Sequence, residues 1–113
     1  MATEVFKNGY LNVTNSAQTI YTAPTDAGDV TVVLSLRVTN VDGSADDTII
    51  AEVKDVSSGD AKIAHTMAVP ADSSLELAGT SKLVLMAGDY IQLTGGAASG
   101  DLEAFISVLE LQA

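Results

Sequence analysis

The sequence predicts an all-β fold, an antiparallel β-sandwich of jelly-roll-like or Ig-like type with about eight strands. Three observations lead there. Val30, Val32, Leu34, Leu36 and Val38 alternate with Thr31, Ser35, Arg37 and Thr39 at the two-residue period of a strand. Clusters of Gly, Asp, Asn, Ser and Pro recur between such segments at strand-length spacing. No segment shows a helical period. Residues 1–113 therefore form a single domain.

Weak strand patterns around Val5-Phe6 and Tyr10-Val13 flank Asn8-Gly9, a strong hairpin-turn signal, so a tight turn is expected there. Gln18-Thr22 is a short strand ended by Pro24, and Asp26-Asp29 turns into the long strand Thr31-Val41. Asp42-Asp47 is the next turn, Thr48-Val56 the return strand, and Ser57-Asp60 the turn beyond it. Lys62-Val69 stops at Pro70, and Ser74-Leu77 and Lys82-Met86 flank Gly79. Tyr90-Thr94 and Leu102-Leu111 close the chain around the glycine-rich loop Gly95-Gly100. The inward row expected from this alternation is Val32, Leu34, Leu36, Ile49, Val53, Leu83, Leu85, Ile91, Leu93, Ile106 and Val108.

Several strands are apolar on both faces, more than a two-layer sandwich requires. The surplus marks Val33, Ile50, Val84, Phe105 and Leu109, with Val5 and Phe6 of a possible N-terminal docking arm over residues 1–15, as candidate interface residues. Cover by loops is the competing explanation. Self-association is expected, a homotrimer first and a dimer second.

Composition excludes much chemistry. Fifteen acidic against five basic residues give a net charge of −10, with no basic cluster to displace counterions from nucleic acid or to meet an anionic membrane. No cysteine is present, so disulfides and thiolate chemistry are out. The N-terminal residues carry neither a basic n-region nor an apolar h-region, so synthesis in a host cytoplasm without a signal peptide is expected. Asp42, Asp46 and Asp47 share a loop but lack calcium-loop spacing; Asp42-Gly43 reads as turn chemistry, and Asp46 and Asp47 are expected to be solvated. Glu52, Glu76 and Glu103 have no Trp platform for a glycosidase cleft. His65 is the sole histidine, in phase with Ile63 and Met67, and Gly95-Gly100 opens no helix to cradle a phosphate. No catalytic, metal or cofactor residues are expected, and the chain is expected not to be an enzyme.

Phe6-Gly9, Ile20-Pro24, Val33-Gly43, Val69-Leu77 and Leu83-Asp89 together resemble small β-rich virion proteins of tailed bacteriophages, of the capsid decoration (cement) type. That resemblance implies a structural protein on the capsid surface of a virion, partnered by the major capsid protein and by copies of itself. The alternative it leaves open is a neck, tail or fibre module that contacts a host-surface glycan.

Overall fold

The computed structural model describes residues 3–78, 82–97 and 100–112. Its strands are β1 (Thr3–Val13), β2 (Gln18–Thr22), β3 (Val30–Asn40), β4 (Asp47–Asp55), β5 (Gly59–Val69), β6 (Ser74–Glu76), β7 (Leu83–Met86), β8 (Tyr90–Gly95) and β9 (Leu102–Gln112). One sheet runs β1-β9-β3-β6, with β7 also on β3, and the other runs β2-β8-β4-β5. Every pairing is antiparallel. β4 pairs with β5, β3 with β6 and β7, β2 with β8, and β1 with β9. The chain is thus one long hairpin rolled up, a double-sheet jelly roll, in which β6 and β7 share one edge position. Gly79 and Ala98-Ser99, within two expected loops, lie outside the described residues.

The core lies between the sheets. Val33, Leu36, Val38, Leu85, Leu102, Ala104, Ile106 and Val108 face Ile49, Ala51, Ile91 and Leu93, all fully buried or nearly so. Val53 and Leu83 pack against this cluster from its margin.

Two expectations are corrected. Val32 and Leu34 are not core residues and Val33 is, because β3 carries a bulge between Val33 and Ser35 that shifts its phase by one residue. Thr31 and Val33 point inward before the bulge, and Leu36, Val38 and Asn40 after it. The carboxylate of Glu76 holds the irregularity, accepting from Ser35 Oγ at 2.6 Å, Leu36 N at 2.8 Å and Ala78 N at 3.1 Å. Burial draws the Glu76 carboxyl upward, yet these donors and nearby Arg37 hold it below the usual carboxylate range.

Asn8-Gly9 is not a hairpin turn. β1 runs through it unbroken, with all eleven residues paired to β9. Gly9 is there for closeness: a Cβ would sit 3.3 Å from Ile106 Cγ2 and 3.5 Å from the Ile20 carbonyl oxygen of β2. A long partner strand outweighs a local turn preference. The residues expected as a docking arm thus lie largely on the protein's own sheet.

Candidate functional site

The outer face of the five-stranded sheet is assembled by register. Residues directly opposite in an antiparallel pair share a face, so Phe6, Leu109, Val32 and Val84 form one row across β1, β9, β3 and β7. Leu111, Val30 and Met86 form the row on one side. On the other side, beyond Asn8, Ser107 and Ser35, lies a row of Tyr10, Phe105, Arg37 and Glu76. Phe6 is 71% exposed, Tyr10 59%, Val84 58% and Phe105 48%. Between the first and last rows, where the β3 bulge falls, lies a shallow depression of about 250 Å³ lined by Phe6, Lys7, Asn8, Leu34, Ser107 and Val108.

The opposite outer face has another character. Lys54 reaches Asp60 at 3.1 Å and Glu52 at 3.2 Å, while Lys62 lies 3.7 Å from Glu52. Hydrogen bonds from Lys54 to Asp60 and Glu52 raise its ammonium above the ordinary lysine range. Lys54 and Glu52 are half-buried, while Asp60 and Lys62 are about half exposed, and ion pairs at such a surface add little stability.

Of the seven residues the sequence singles out, the structure brings Phe6, Val84, Phe105 and Leu109 onto the apolar face. Val33 belongs to the core, fully buried. Ile50, opposite Thr94, is half-buried on the outer side of the other sheet. Val5, opposite Glu110, turns to the inner side near the end of β1. Met86 joins the apolar face from the alternation of Leu83-Met86, whereas the alternation does not announce Tyr10 and Val32. Tyr10 falls in phase with Phe6 once β1 is read as one strand, and Val32 joins the face only through the bulge.

At one end of the sandwich, the side chain of Glu110 is buried between the sheets. It accepts from the Tyr21 hydroxyl at 2.5 Å and from Gln112 at 3.2 Å, and pairs with Lys7 at 3.0 Å. Tyr21 also meets Thr31 Oγ1 at 3.2 Å. Burial pulls the Glu110 carboxyl upward, but Tyr21 and Lys7 outweigh it and hold the group below its ordinary range. Burial, reinforced by Glu110, pushes the Tyr21 phenol far above its own. The cluster ties β1, β2, β3 and β9 together and consumes its polar groups in doing so.

The aspartates behave as turn residues. Asp42 accepts from Ser44 N at 2.8 Å and Ala45 N at 3.0 Å, Asp55 from Ser57 N and Ser58 N, and Asp89 from Val56 N and Met86 N. Asp46 is exposed, as expected, and receives Ala71 N, but Asp47 is buried rather than solvated because it receives Thr48 N and Gly96 N across the loop, so the three loop aspartates point to separate donors. Among the described residues no group of three or more His, Asp or Glu could hold a metal ion. His65 is exposed on β5. Glu52 and Glu76 serve the pairs and the bulge already described, and Glu103 is exposed on β9.

No family model and no curated protein matches the chain. Solved structures do. A chain from the Bacillus endospore appendages, described as a family of disulfide-linked pili, matches with a TM-score of 0.51 at 17% identity, covering 99% of this chain and 87% of that one. A chain from the acid-stable capsid of Helicobacter pylori bacteriophage KHP30 matches with a TM-score of 0.54 at 9% identity, covering 98% and 93%. A chain of infectious bursal disease virus Gx strain gives 0.56 at 8% identity, covering 98% of this chain but only 32% of that one. At these identities the likeness is one of fold.

Proposed function

We propose that this chain is a non-enzymatic structural protein of a phage virion, a cement or decoration protein that docks on the capsid exterior and reinforces it. The observation that carries the proposal is the asymmetry of the two outer faces. One presents Phe6, Tyr10, Val84, Met86 and Phe105 to solvent, and the other presents paired charges. Large apolar groups gathered on one face gain free energy only against a partner, at roughly 25 cal/mol per Å² of apolar surface covered. The jelly roll is an architecture recurrent in viral shells, and the chain's likeness to one of phage KHP30 extends over nearly the whole of both. The pilus likeness offers another setting, but these 113 residues contain no cysteine with which to form disulfide links.

A ligand that binds the assembled shell and not its free subunits stabilises the shell by mass action. The purified protein added to capsids lacking it should bind saturably, in copies that scale with shell subunits, and should raise the temperature at which the shells open. Binding confined to a few copies at one vertex, or none, would overturn the proposal.

A further inference from the structure

β1 is the one long and regular open sheet edge among the described residues. It pairs with β9 on one side over eleven residues without a register shift. The other edges are interrupted or short. β5 is broken by irregularities against β4 and by Thr66 at φ 52°, β2 has five residues and a shift, and β6 and β7 have three and four residues. Natural sheets guard exposed edges with bulges, brevity or charge. β1 has neither a bulge nor brevity, and over eleven residues its only charges are Glu4 near its start and Lys7. Its lysine, Lys7, is engaged by Glu110 on the inner side.

We propose that β1 pairs antiparallel with β1 of a second copy across a two-fold axis through Asn8. Asn8 is the midpoint of Thr3–Val13, so this register leaves no residue of either strand unpaired. Thr3 then faces Val13 of the second copy, Glu4 faces Asn12, Phe6 faces Tyr10 and Lys7 faces Gly9. The exposed aromatics of each copy meet as two cross-strand Phe–Tyr pairs, a favourable combination in sheets. No like charges oppose each other. Sliding two residues one way sets Lys7 against Lys7. Sliding two residues the other way sets Tyr10 against Asn8, and either slide frees two residues at each end. A one-residue slip would turn the apolar face over.

An axis perpendicular to the sheet keeps both apolar faces on the same side. The row Phe105-Tyr10 of one copy continues into Phe6-Leu109-Val32-Val84 of the other, and the same holds in reverse. Two five-stranded sheets become one floor. The contact is isologous, so it closes at two copies, whereas the trimer expected from the sequence needs two different surfaces. The pairing stands independently of what the floor docks on.

The absence of native cysteine makes the test clean. Residues facing each other across antiparallel strands have Cα atoms about 4.5–5.5 Å apart, within the span a disulfide bridges. Asn8→Cys in the isolated full chain should oxidise to a covalent dimer at least ~10-fold faster than Phe6→Cys or Tyr10→Cys, because pairing raises the effective thiol concentration only at the axis. The double variant Phe6→Cys/Tyr10→Cys should also cross-link. Sedimentation should show the wild type and Phe6→Lys/Tyr10→Glu as dimers and Phe6→Glu/Tyr10→Glu as a monomer, all with unchanged circular dichroism. Equal cross-linking rates at the three single sites, or a wild type that stays monomeric at high concentration, would overturn the pairing. A wild-type chain that stays monomeric yet binds capsids would overturn the pairing and leave the docking proposal intact.

Discussion

Replacing Glu110 by Ala tests how the sandwich is held at its β1 end. The variant removes the acceptor 2.5 Å from the Tyr21 hydroxyl and the carboxylate 3.0 Å from Lys7. A buried hydrogen bond to a charged group contributes about 1.5–3 kcal/mol. The Lys7 side chain is 52% exposed and returns to water, so its pair adds at most about 1 kcal/mol. Tyr21 retains Thr31, which spares part of its desolvation cost. The expected loss is about 2–4 kcal/mol, a large share of the roughly 5–15 kcal/mol that holds a domain of this size together. Urea unfolding followed by circular dichroism should show it as a midpoint lower by about 1–2 M. The pH dependence has a defined sign. The folded-state pKa of Glu110 is lowered, so its contribution is complete above the unfolded value near pH ~4.3 and is lost as pH falls through the folded value. The difference between wild type and Glu110→Gln should therefore be full at neutral pH and shrink below about pH 4. A Glu110→Ala midpoint within ~0.3 M of wild type would refute the network's role.

Val33→Asp should unfold the protein, since an unpaired carboxylate in a fully buried site costs several kcal/mol, whereas Val84→Asp, at a site 58% exposed, should stay within about 0.5 kcal/mol of wild type. Thermal melts of the pair check this. Glu76→Ala should cost about 1–2 kcal/mol and strip hydrogen-exchange protection from the Leu36 amide, whose acceptor is lost. Phe105→Asp should leave strand content and melting temperature near wild type while weakening capsid binding at least ~10-fold, measured by co-sedimentation with shells.

The strand pattern was readable because alternation against solvent is local. β4, β8 and β9 have the phase their residues announce. In β3 the alternation holds from Leu36 onward and fails before it, because the bulge is stabilised by Glu76, forty residues away, and nothing in Val32-Val33-Leu34 discloses that. Asn8-Gly9 misled for a related reason. Its turn preference is local, while the ladder to β9 and the close approach of Ile106 and Ile20 are not. The same turn preference hides Tyr10, since splitting β1 at Gly9 separates it from Phe6. The surplus of apolar residues was visible in the sequence. Which of them share a face depended on register, and Phe6, Val84, Phe105 and Leu109 come together only through pairings between strands far apart in the chain.

If the chain is a virion protein as proposed, cryo-electron microscopy of the particle measures its position and orientation at once. A docked protein should appear in many copies over the shell, with the face bearing Phe6, Phe105, Leu109 and Val84 buried against capsid subunits and the Lys54–Glu52–Asp60 face toward solvent. A particle in which the apolar face points into solvent, or in which the chain occupies only a tail or a single vertex, would contradict the claim that this face is built to reinforce a capsid.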